Sequence, residues 1–192
     1  MNRETTFWGI VTALALAGIV VLYAQNAGLF ERDDSPSASR EPLSSTADSP
    51  DPLASDCVQH GTALTRHDHV NLEIFIDASP YKVESEIGIR TDICNGQEDY
   101  MHTIHTHDET GRLHIELNEA GDISLGVFFD IWGYHFNETG IFDYRVNATH
   151  EMVMHVRASG EGATEENRIT SFDDYLLQNG EVIEVHYRVK AN

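Results

Sequence analysis

The residue types able to do chemistry are concentrated between His102 and Glu116. In HTIHTHDETGRLHIE, four of the chain's eleven histidines fall within fifteen residues. Imidazole suits zinc, copper and iron, and three imidazoles that converge can hold such an ion. Convergence depends on the backbone. Asp108-Glu109-Thr110-Gly111 is polar and ends in glycine, which takes positive φ at little cost, so it reads as a turn. Before it, Ile104 and Thr106 alternate with His105 and His107. After it, Leu113, Ile115 and Leu117 alternate with His114 and Glu116. A period of two marks strands with one buried face. Pairing His107 with Arg112, His105 with His114 and Ile104 with Ile115 puts the aliphatic residues on one face. The other face then carries His105, His107, His114 and Glu116, and a slip of one residue would mix the two sets. Directly opposed residues have Cβ atoms about 4.5–5.5 Å apart, close enough for rings to share an ion. The expected ligands are His105, His107 and His114, with Glu116 and Asp108 behind them. The competing reading is a polar strand face whose rings are satisfied by hydrogen bonds and water.

A second source of ligands precedes the hairpin. In RHDHVNLEIFID, Leu72, Ile74 and Ile76 alternate with Asn71, Glu73 and Phe75. This predicts a strand that turns at Ala78-Ser79-Pro80 and returns through Tyr81 to Glu84. Carried backward, the alternation places His67 and His69 opposite the apolar set, where they add ligands if this strand lies beside the histidine hairpin. Asp68, like Asp108, is a turn-type residue before it is a ligand. The two cysteines, Cys57 and Cys94, are candidates for a disulfide in an oxidising compartment, contributing about 3 kcal/mol; the alternative is one thiolate on the metal.

Everything else must position or deliver this segment. Residues 1–6 form a short N-terminus, expected to be cytoplasmic. Residues 7–24, FWGIVTALALAGIVVLYA, are uncharged and predict a transmembrane signal anchor. Charge bias weakly favours the C-terminal side outside the cell, and neither Ala24 nor Ala27 offers a good cleavage site. Residues 25–56, rich in Ser, Pro and Asp, predict a disordered stalk. Residues 57–192 have the composition of one folded domain, expected to be extracytoplasmic and β-rich. A net charge of −20 excludes a nucleic-acid surface.

Within that domain, Leu125, Phe128, Phe129 and Trp132 follow helical spacing between Ser124, a suitable N-cap, and Gly133, a suitable C-cap. Tyr134 to Asn147 reads as a loop. His150–Arg157 and Glu181–Val189 read as strands, with Met152 and Met154 taken as core rather than copper ligands. The order predicts an α+β, mainly β fold: a β-grasp-like domain built on the histidine hairpin, with the first hairpin as an N-terminal addition.

The segments HDHVNLEIFID, EIGI, Cys94, HTHDETGRLHIE and SLGVFFDIWG, in that order, resemble a family of uncharacterised membrane-anchored extracytoplasmic proteins of archaea and bacteria. The resemblance covers residues 57–133 well and implies placement outside the membrane, without implying an activity. Asn71 stands where that pattern often has a third leading histidine, and Ile104 where it has Leu. The functional expectation is an anchored domain that binds copper or zinc, with iron also fitting the ligands. The alternatives are a metal-dependent enzyme with Glu116 as base and a metal-free surface interaction module.

Overall fold

The computed structural model describes residues 49–97 and 99–191. In chain order its elements are β1 (Cys57–Gln59), β2 (Arg66–Ile76), β3 (Ser79–Tyr81), β4 (Tyr100–His102), β5 (Ile104–His105) and β6 (Arg112–Leu117). Helix α1 (Leu125–Trp132) follows, then β7 (Phe136–Asn137), β8 (Gly140–Ile141), β9 (Tyr144–Arg145), β10 (His150–Ala158), β11 (Arg168–Ile169) and β12 (Glu181–Val189). The fold is α+β, mainly β. Its main sheet runs β11-β10-β12-β2-β6-β5, with β3 also paired to β2.

Alternation along the long strands explains this sheet. Val70, Leu72 and Ile74 of β2, Leu113, Ile115 and Leu117 of β6, and Ile183, Val185 and Tyr187 of β12 are all buried in one core. Met152 and Met154 of β10 join them as core side chains. Leu125, Val127, Phe128 and Phe129 of α1 cover this face. Burying each such side chain contributes about 1.5–3 kcal/mol. Gly133 ends the helix at φ 79°, as the sequence predicts. Ser124 has the extended backbone of a cap but makes no side-chain cap bond. The Leu125 N–H donates instead to the Tyr175 carbonyl at 2.9 Å.

Four expectations need correction. The hairpin expected as an addition supplies the middle of the sheet: β2 lies between β12, to which it is parallel, and β6, to which it is antiparallel. A crossover between distant segments has no local signal, so periodicity could not place it. The turn of that hairpin is Asp77-Ala78, both at positive φ, and Ser79 and Pro80 already pair with Ile76 and Phe75. Tyr134 to Asn147 forms a three-stranded sheet, β7-β8-β9, rather than a loop. The folded part begins ahead of Cys57. Asp51 caps a 3₁₀ turn at Pro52–Ser55, its N–H donates to Asp130 Oδ2 at 2.8 Å, and Ala54 is buried.

Cys57 and Cys94 are joined by a disulfide across 37 residues of sequence. Closing a loop of that length contributes about 4 kcal/mol in the chain-entropy account. The bridge ties the start of the domain to the turn ahead of β4, and Cys57 also opposes His102 in the β1–β4 pair. The predicted anchor at residues 7–24 and the stalk up to residue 48 lie outside the described residues. Among the described residues, no helix is long and apolar enough to cross a membrane.

Candidate metal centre

Three adjacent strands set their histidines in a single row. His69 on β2 opposes His114 on β6, and His114 opposes His105 on β5. Opposed residues of antiparallel strands share a face, so the rings stand together. Their centres are 4.5 Å apart for His69–His114 and 5.4 Å for His105–His114. In the next row His67 opposes Glu116. His107 differs from expectation: β5 ends at His105, and the ladder does not extend to a His107–Arg112 pair. Its ring nonetheless lies 4.9 Å from that of His105 and 4.6 Å from that of His114.

Two residues around the hairpin fix this arrangement. Thr106 Oγ1 donates to the Glu84 carbonyl at 2.9 Å and accepts from the Ile87 N–H at 3.1 Å. Gly111 has φ +79°, and the neighbour that an added Cβ would meet is backbone: it would sit 2.3 Å from the Leu72 carbonyl oxygen. The Leu72 N–H donates to the Gly111 carbonyl at 2.8 Å. Glycine at this position therefore lets β2 and β6 approach and holds His69 against His114.

His105 carries the sharpest signal. Its side chain is fully buried. Nδ1 lies 3.0 Å from the His102 carbonyl oxygen, which can only accept, so Nδ1 bears the proton. The neutral ring then has its lone pair on Nε2, which is buried and has no hydrogen-bond partner among the described residues. A desolvated, unpaired acceptor is costly, and an imidazole oriented through Nδ1–H to a carbonyl is the usual arrangement of a metal ligand. Glu116 is similar. Its Oε2 is buried without a partner among the described residues, while Oε1 lies 3.6 Å from His67 Nε2 and 3.8 Å from His60 Nδ1. Two sets of nitrogens come within 4.8 Å of one another: His105, His107 and His114, and His67, His69 and His114.

Burial also sets the protonation. It pushes His105 down from 6.5 to about 3 and His114 to about 4, and it lowers His69 as well. These rings are neutral near pH 7, the form that binds metal. In the metal-free protein the unfolded chain takes up protons below about pH 6.5 that the folded His105 refuses. The stability this represents is complete above that value and is lost as the pH falls toward 3. His105 alone gives a slope of up to about 1.4 kcal/mol per pH unit. Urea unfolding of the chelator-treated chain between about pH 4 and about pH 7 should show that loss, and His105→Leu should flatten it.

The remaining candidates separate clearly. Asp108 is exposed, and its Oδ1 accepts from the Thr110 N–H at 2.9 Å and the Thr110 hydroxyl at 2.5 Å, which holds its carboxyl below the usual range. It shapes the turn, and its charge interacts with His114, although it is in neither histidine group itself. The disulfide removes both thiolates as ligands. His102 is buried, with Nε2 2.7 Å from Thr91 Oγ1 and Nδ1 without a hydrogen-bond partner among the described residues, but it belongs to neither histidine group. His60 is the residue that sequence reasoning misses. It follows β1, and its ring lies 5.9 Å from that of His107. It has no periodicity to mark it; pairing of β1 with β4 brings it there. In comparisons with protein-family models, curated proteins and solved structures, nothing matches the chain.

Proposed function

We propose that this domain binds a transition-metal ion, copper or zinc, through His105, His107 and His114, with His69 and His67 within reach of the same centre. The observation that carries this is His105 Nε2, an unpaired buried lone pair facing a cluster of further imidazoles. Neutral imidazoles suit either metal, and iron also fits. On this reading the domain is held outside the membrane by residues 7–24. Its disulfide supports that placement, because such bridges persist in oxidising compartments. The resemblance to membrane-anchored extracytoplasmic proteins belongs to the same proposal. So does the scaffold as a β-grasp. In support, β2 and β6 form one antiparallel pair, α1 crosses over, β10 and β12 form another, and β2 and β12 meet in parallel.

The test is elemental analysis and Zn(II) and Cu(II) titration of the full chain, purified without a histidine tag. Metal should be retained. Changing His105, His107 and His114 together to Gln should weaken binding by more than about 100-fold, since changes to residues merely supporting a ligand cost 10–100-fold. Equal binding by the triple variant, or none by the native chain, rejects the proposal.

A second reading has its own observation. The buried, unpartnered Glu116 Oε2 suits a general base for metal-assisted hydrolysis. If that reading holds, Glu116→Gln abolishes turnover of ester or phosphoester substrates while leaving the metal bound; absence of turnover in the native holoprotein rejects it.

A further inference from the structure

The two histidine groups have one member in common, His114. A neutral imidazole offers a single lone pair, so His114 completes one group at a time. The groups also differ in access. His67 is exposed and His69 half-buried, both on β2. His105 is fully buried, with its Nε2 unpartnered. His107, beside it, is at the exposed rim of the hairpin.

We propose that the centre is two alternative seats for one first-row transition-metal ion: an outer seat on His67 and His69 that captures it, and an inner seat on His105 and His107 that retains it, with His114 belonging to whichever is filled. This rests on the metal-binding reading above and adds to it a direction of movement. Filling both seats at once would require His114 to bridge as an imidazolate and would set two dications against each other within one cluster. Passage inward exchanges the ion's bonds to His67 and His69 for bonds to His105 and His107. Each bond lost is replaced by an equivalent one, and no electron is transferred. The energetic gain of the inner seat is that it pairs the buried lone pair of His105, whereas the outer rings have water as an alternative partner.

The proposal is tested by titrating the full chain, in detergent and without a tag, with Zn(II) and with Cu(II), the latter followed by electron paramagnetic resonance. The native chain should bind one equivalent and give one Cu(II) spectrum. The double variant His67→Gln, His69→Gln should bind one equivalent with that same spectrum but load more slowly. His107→Gln alters an exposed side chain, so the fold is not at stake. It should still bind one equivalent, in a different spectrum, with affinity reduced about 10–100-fold. His114→Gln strips both seats and should bind more weakly than either. Two equivalents held together by the native chain, undiminished binding by His114→Gln, or complete loss of binding in His107→Gln would each overturn the two-seat arrangement while leaving metal binding itself intact. A native chain that binds neither ion overturns this inference and the reading beneath it together.

Discussion

Gly111→Ala should lower the stability of the metal-free protein by about 3–4 kcal/mol, a large part of the 5–15 kcal/mol typical of a domain. Two independent costs add. The residue has φ +79°, where a side chain is strained by about 1–2 kcal/mol. Its new Cβ would also lie 2.3 Å from the Leu72 carbonyl oxygen, which is backbone in the middle of β2 and cannot swing aside. Relief requires β2 and β6 to part, which breaks the 2.8 Å bond from the Leu72 N–H to the Gly111 carbonyl. Gly61→Ala is the control. It has nearly the same φ, +80°, but nothing within 4 Å of the added carbon, so it should cost about 1 kcal/mol. Urea midpoints of the two variants separate steric from conformational cost; equal shifts would show that close approach of the strands does not matter. Because those strands carry His69 and His114, Gly111→Ala should weaken metal binding as well, whereas Gly61→Ala should leave it unchanged.

The same strand contact marks where sequence reasoning succeeds and where it stops. The pairing of His105 with His114 and of Ile104 with Ile115 is legible because one face must be greasy, and that requirement selects a single register. The helix between Ser124 and Gly133 is legible for a related reason, its 3.6-residue stripe. The neighbour of the hairpin is not legible. His69 meets His114 because β2 pairs with a strand about forty residues later, while its other edge takes the last strand of the chain in parallel. No local pattern encodes either choice. His60 and the burial of Glu116 have the same origin, since both depend on segments joined across long intervals. The extent of pairing is not legible either. Alternation continues through His107, but the chain leaves the ladder after His105, because Thr106 is drawn toward Glu84 and Ile87 instead.

His105→Leu should reverse sign with metal. Without an ion, the native ring leaves Nε2 buried and unpaired, a penalty of about 1–3 kcal/mol that an apolar side chain of similar bulk removes. Against this, the bond from Nδ1 to the His102 carbonyl is lost, at about 1 kcal/mol. The metal-free variant should therefore be as stable as the native chain or more so by about 1 kcal/mol. With an ion present the order inverts. Binding to the folded state alone stabilises by about 2.7 kcal/mol at a hundredfold excess over Kd, and each tenfold loss of affinity takes away about 1.4 kcal/mol of that. Urea unfolding of both proteins with chelator and with Zn(II) measures the four stabilities directly. A crossing of the two lines means that His105 is retained for the ion at the expense of the empty fold. If His105→Leu instead destabilises the metal-free protein by several kcal/mol and leaves the effect of Zn(II) unchanged, the ring is a structural element and the inner ligand must be sought elsewhere in the cluster.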